Sequence, residues 1–128
     1  MGYRSDVTIA FYSRDNVNLP GAMLKLWFDE NYPHKEADEE WNAKITRGDD
    51  YVLVQYYDVK WYTGYLHVDA VNQAIRNFED AFDANEQNTT AAYELIRIGE
   101  EHADIIEERS DFADYHVGVT REIITSFD

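Results

Sequence analysis

The chain has no cysteine, which removes disulfides, thiolate metal ligands and cysteine nucleophiles together. Proline is scarce, with Pro20 and Pro33 alone, and the six glycines stand singly, so no Gly-rich phosphate loop can be built. Apolar runs never approach the ~20 residues needed to span a bilayer. Residues 1–6, Met-Gly-Tyr-Arg-Ser-Asp, contain no apolar core of a signal peptide. Positive charge is also in short supply against negative. Eleven Lys and Arg face twenty-six Asp and Glu, a formal net charge of −15. That field opposes direct binding to nucleic acid phosphates or an anionic membrane. It fits solubility, a salt-adapted surface, or attraction to a basic partner. A cytoplasmic protein is the expectation.

What is present points to a folded domain. Of the 128 residues 45% are apolar, enough for a hydrophobic core in one domain spanning 1–128. Tyr51–Tyr62 is almost wholly β-branched or aromatic. Alternation places Tyr51, Leu53, Tyr57, Val59 and Trp61 on one face and Val52, Val54, Tyr56 and Tyr62 on the other. Apolar residues on both faces predict an interior strand covered on both sides.

Residues 4–12 alternate as a first strand, with Val7, Ile9 and Phe11 on one side. Asn18 and Pro20 then open a helix whose apolar stripe is Leu19, Met23, Leu26 and Trp27. It ends near Asn31, before Pro33. Trp41, Ala43 and Ile45 predict a short strand, joined to the central one by the turn Arg47-Gly48-Asp49-Asp50. Val71, Ile75, Phe78 and Phe82, with Ala74 and Ala81, form the buried stripe of a second helix over 68–83. Residues 92–98 alternate again. Residues 100–108 fit either a helix or a strand; Gly99 before and Ser110-Asp111 after favour a strand over 104–109. Residues 115–124 give a last strand. The sum is an α+β fold, a two-layer domain in which two helices pack a mostly antiparallel sheet of five to six strands.

Catalytic signatures are weak. No Gly-x-Ser-x-Gly elbow occurs, and Ser5, Ser13, Ser110 and Ser126 lie in turns, at strand ends or near the terminus. His34 and His102 each neighbour carboxylates but lack an established ligand spacing, and His67 and His116 lie far away in sequence. The expectation is a protein that is not an enzyme and needs no cofactor or metal; a metal-dependent factor or enzyme using His102 and nearby acids is the alternative.

The acids themselves are unevenly spread. Residues 29–50 hold eight against three basic residues, and residues 79–111 hold eleven against Arg97 and Arg109. The plain explanation is a solvated face. The functional one is a surface aimed at a basic groove, imitating the phosphate charge of DNA. Its candidate residues are Asp38, Glu39, Glu40, Asp49, Asp50, Glu100, Glu101, Asp104, Glu107 and Glu108. Trp61, Tyr62 and Tyr65 cluster at the exit of the central strand, as core packing or as part of an interface.

Three stretches, Gly-Tyr-Arg-Ser-Asp-Val at 2–7, Lys-Trp-Tyr-Thr-Gly-Tyr at 60–65 and Glu-Leu-Ile-Arg-Ile-Gly-Glu-Glu at 94–101, together resemble small acidic proteins of tailed bacteriophages and prophages. The resemblance brings no residue roles with it. It implies a bacterial cytoplasm during infection and an inhibitor that binds a basic surface of a host nucleic-acid-processing or defence protein. A phage structural or assembly accessory protein is the competing expectation.

Overall fold

The computed structural model describes residues 4–14, 19–32, 43–59, 61, 66–82, 91–100, 104–110, 113, 117–119, 123–125 and 127. Strand β1 (Ser5–Ser13) is followed by helix α1 (Gly21–Asn31), the hairpin β2 (Ala43–Arg47) and β3 (Tyr51–Val59), and helix α2 (Leu66–Phe82). Then come β4 (Ala91–Gly99), β5 (Ile105–Arg109), β6 (Val117–Val119) and β7 (Ile123–Thr125). The first five strands form one sheet in the order β2-β3-β1-β4-β5, every neighbour antiparallel. β1 and β2 therefore run parallel with β3 between them, and β3 and β4 run parallel with β1 between them. The first six elements make a split βαβ arrangement, to which β5 adds an outer strand. The fold is α+β, as the sequence pattern predicts.

Both helices cover one side of the sheet. Val7, Ile9 and Phe11 of β1, Val52, Val54 and Tyr56 of β3, and Tyr93 and Leu95 of β4 meet Leu24 and Phe28 of α1 and Val71, Ile75 and Phe78 of α2. Aromatic rings concentrate there. Phe11 lies 5.0 Å from Phe78 and 6.1 Å from Phe28, and Phe28 stacks on Tyr32 at 4.7 Å. The buried hydroxyls of Tyr32 and Tyr56 satisfy each other at 2.7 Å, so neither ring strands a polar group in the core.

The opposite side of the sheet has a core of its own. Ala10, Tyr12, Leu53, Ala92 and Ile96 pack with Val117 of β6, and Phe127 stacks on Tyr51 at 4.3 Å. The last segment is thus a separate two-stranded hairpin, β6-β7, and not the single strand over 115–124 expected from its alternation. The apolar second face of β1, β3 and β4 gives it something to cover.

Two further departures have local causes. β1 and β3 shift register between Ser5–Val59 and Val7–Tyr56, so that two residues of β3 oppose Asp6 alone. The extra residue is accommodated at Asp58, whose φ of 56° is left-handed. Asp6 Oδ1 accepts the Asp58 N–H at 2.9 Å and holds the bulge. Past it the alternation reverses, and Val59 joins the helix side with Tyr56 instead of the side of Leu53. Trp61, half-buried, also packs on the helix side, 5.7 Å from the Tyr56 ring.

α1 begins at Gly21, with Pro20 as its cap and no side chain closing it. A Cβ on residue 21 would collide with the Asp49 carbonyl oxygen, so glycine lets the helix start directly against the β2-β3 turn. Of the expected stripe Leu19 is buried and Trp27 packs on the core, but Met23 and Leu26 are exposed, and Gly21, Leu24 and Phe28 complete the buried face. On α2, Val68, Val71, Ala74, Ile75 and Phe78 are buried, Phe82 is half-buried, and Ala81 is exposed. Asn18, Trp41, Tyr62 and Tyr65 lie outside the described residues.

The two helix faces make a direct stability test. Phe78 sits among the rings of Phe11, Trp27 and Phe82, so Phe78→Ala should destabilise by about 3–5 kcal/mol. Met23→Ala on the outer face of α1 should stay within about 0.5 kcal/mol of wild type. Urea denaturation of both variants, followed by far-UV circular dichroism, measures the contrast.

Candidate functional site

Three polar places stand out: a buried carboxylate between the sheet and the hairpin, a cleft at one end of β1, and the outer edge of the sheet.

The buried carboxylate is Glu94. In β4 it shares its side with Ala92 and Ile96, so the pleat sends it under the β6-β7 hairpin, fully buried. Tyr12 donates its hydroxyl to Glu94 Oε2 at 2.6 Å. Arg109 Nε donates to Oε1 at 3.1 Å, and the Val117 N–H donates to the same oxygen at 3.0 Å. Arg109 Nη2 in turn donates to the Val117 carbonyl at 2.6 Å, and Nη1 to Glu107 at 2.9 Å. Burial pulls the Arg109 pKa down, but the hydrogen bonds and charges of Glu107 and Glu94 outweigh it, and the guanidinium is held above its ordinary value. Three strands and the hairpin are thus fastened at one ion pair. With both oxygens engaged and no exposed surface, Glu94 is placed to hold structure and not to meet a substrate. Sequence reading overlooked it. The available signal was an acid in phase with Ala92 and Ile96 inside an otherwise apolar strand.

The cleft lies where β1 starts and β4 ends. Arg4, Ser5, Asp6, Asp58, Ile98, Gly99 and Glu100 line about 210 Å³, below the ~300 Å³ where ligand pockets usually begin. Its polar groups are largely turned on one another. The Arg4 N–H donates to Glu100 at 2.7 Å and its Nη1 to the Asp58 carbonyl at 3.0 Å. Among the described residues no cluster of three or more His, Asp or Glu side chains is arranged to hold a metal ion. His34, His102 and His116 lie outside those residues.

The sequence-derived acidic residues fall into separate places. Asp49 and Asp50 occupy the β2-β3 turn, which Gly48 N–H closes on the Tyr51 carbonyl at 2.9 Å and Ser13 N–H ties through the Asp50 carbonyl at 2.8 Å. Asp49 is exposed and Asp50 half-buried. Glu100 and Asp104 sit at the other end of β1, beside the cleft. Asp104 is bound to Arg97 through two hydrogen bonds of 3.2 and 2.8 Å, and Arg97 also donates to Ser5. Glu107 and Glu108 are exposed on β5, and only Glu107 is tied to Arg109. The nine residues of β1 separate the Asp49-Asp50 turn from Glu100 and Asp104, on the order of 30 Å of strand. These two groups do not share one patch. Asp38, Glu39, Glu40 and Glu101 lie outside the described residues.

The outer edge belongs to β5. It is the last strand of the sheet, and all but its final residue are exposed, Ile105 at 39% and Ile106 at 40% among them. It sets two exposed isoleucines beside two exposed glutamates on an edge that no described strand pairs.

No protein-family model, curated protein or solved structure matches the chain. Among the described residues no helix is long and apolar enough to cross a membrane.

The Glu94 staple yields a second test. Glu94→Ala would leave Arg109 without its buried partner and the Val117 N–H without an acceptor, a loss of about 3–5 kcal/mol. Glu94→Gln retains an acceptor for Val117 and should lose clearly less. Thermal unfolding of the two variants side by side reads the difference.

Proposed function

We propose that the chain is a protein-interaction module that presents carboxylates on rigid elements to a basic surface of a partner, without chemistry of its own. The observation that carries this reading is the combination of a net charge of −15 with exposed acids fixed on a closed turn, at Asp49, and on an edge strand, at Glu107 and Glu108. Carboxylates carried on a hydrogen-bonded backbone cost little backbone entropy on meeting Lys or Arg, and a strong negative field speeds encounter with a positive surface. The nucleic-acid-binding groove of a processing or defence enzyme in a bacterial host has the matching chemistry. The wide separation of the acidic groups suits an elongated basic groove better than a small basic pocket.

The reading is tested by charge reversal. Two variants are compared with wild type, one reversing Asp38, Glu39 and Glu40 and the other Glu100, Glu101, Glu107 and Glu108; far-UV circular dichroism checks the fold of each first, because Glu107 also accepts from Arg109 and Glu100 from the Arg4 N–H. Tagged wild type should retain partner proteins from a bacterial lysate at low salt and lose them at high salt. Each reversal should lower capture by about tenfold through slower association. Identical, salt-insensitive capture by all three proteins would defeat the reading.

A further inference from the structure

We infer that the free edge of β5 is a docking strand for an extended basic-apolar segment of the partner, added antiparallel to the sheet; this deepens the proposed function and rests on it. The hydrogen-bond pattern fixes which groups are on offer. The Gly99 N–H donates to the Asp104 carbonyl at 2.8 Å, and the Ser110 N–H donates to the Tyr93 carbonyl at 3.1 Å. These flank the paired residues Ile98–Ile105 through Glu94–Arg109. Antiparallel pairs alternate between bonded and non-bonded. Ile106 opposite Arg97 and Glu108 opposite Leu95 therefore turn their N–H and C=O groups inward to β4. Ile105 opposite Ile98 and Glu107 opposite Ile96 turn theirs outward. No strand among the described residues takes them up.

The side chains say what fits. On the hairpin side of the sheet an incoming strand meets Ile105 and then Glu107; on the helix side it meets Ile106 and then Glu108. Each side thus presents an apolar residue followed, two positions on, by an acid. An antiparallel partner complements both sides with two adjacent basic residues followed by two adjacent apolar ones. Antiparallel pairing is also the more stable and more frequent kind. Glu107 already accepts a hydrogen bond from Arg109, whereas no described residue pairs with Glu108, so Glu108 supplies the stronger attraction. A second copy of this chain is a poor occupant, because each brings fifteen net negative charges and the same two glutamates to the contact.

The probe is a fluorescein-labelled peptide with the core Lys-Lys-Val-Val flanked by serines, titrated with the full chain and followed by anisotropy. In the inferred register the N–H groups of the second Lys and second Val point at β5, and those of the first Lys and first Val point away. N-methylation of the first set should weaken binding by at least about tenfold, the effect of losing roughly 1.4 kcal/mol of hydrogen bonding, and methylation of the second set should not. Ile105→Pro removes an outward N–H at the first position of β5, where proline is tolerated, and leaves the Glu107–Arg109 pair in place; it should weaken binding similarly with the far-UV circular dichroism of wild type. Glu108→Lys should weaken it at low salt and less at high salt. Equal effects of the two methylation patterns, or no binding to wild type at low salt, would overturn strand addition. If those tests fail while charge reversal still abolishes salt-sensitive capture, the acidic surface acts by another geometry. If the methylation pattern holds while capture ignores charge, the edge binds and the broader acidic surface does not.

Discussion

The double pairing of β1 is the constraint on which the rest of the molecule depends. β1 runs through the middle of the sheet, bonded to β3 along one edge and to β4 along the other, and eight of its nine residues are buried. A strand in that position must be apolar on both faces, because water reaches neither. Val7, Ile9 and Phe11 require the helices on one side, while Ala10 and Tyr12 require a cover on the other. The β6-β7 hairpin is therefore a consequence of β1 as much as an addition to it. Tyr12 also shows how a polar atom survives there: its hydroxyl reaches the buried Glu94, which Arg109 neutralises. A chain without cysteine has no covalent staple, and this ion pair holds the hairpin where a disulfide would otherwise serve.

Most of the architecture is legible from side-chain period. β1, β3, β4 and α2 announce themselves because their apolar residues repeat at two or at three to four, and nothing local contradicts the pattern. β5 is recovered from its flanking turn residues despite a sequence that also fits a helix. The failures are equally local. Val59 lands on the unexpected face because the bulge at Asp58 inserts a residue, and a bulge at a non-glycine leaves no compositional mark. The stripe of α1 is recovered only at Leu19 and Trp27; Leu24 and Phe28 take the buried face in place of Met23 and Leu26, and Gly21 lies against the Asp49 carbonyl, 28 residues away in sequence. The hairpin at the end was hidden for a different reason. Alternation through 115–124 is compatible with one long strand or two short ones, and only the uncovered face of the sheet decides between them.

The candidate acidic residues are legible in composition but not in arrangement. Counting acids finds Asp49, Asp50, Glu100, Asp104, Glu107 and Glu108; it cannot tell which are already engaged. Asp104 is held by Arg97, Glu107 by Arg109, and Glu100 by the Arg4 N–H, while Glu108 and Asp49 face solvent. Nor does counting reveal Glu94, which is tallied with the other acids of residues 79–111 although its neighbours in β4 are apolar. Burial separates an acid that holds the fold from an acid that can meet a partner, and burial follows from strand phase.

Charge and edge act over different ranges, and that difference assigns them different tasks. At physiological salt the Debye length is about 8 Å, far shorter than the roughly 30 Å of strand between the Asp49-Asp50 turn and the Glu100 end. The two ends cannot sum into one local potential, so in the proposed interaction each would meet the partner separately or both would lie along an extended basic surface. Their contribution would fall chiefly on encounter, where a negative field raises the association rate and discriminates against acidic partners. Residence would then have to come from contacts that salt does not screen. On the described surface the Ile105-Ile106 pair and the outward backbone groups of β5 are of that kind, since hydrogen bonds of a sheet ladder and buried aliphatic area are insensitive to ionic strength at these distances. If β5 docks a partner strand as proposed, Glu107 and Glu108 would serve a double purpose: their charge would oppose pairing with another copy and favour a strand that carries lysine or arginine.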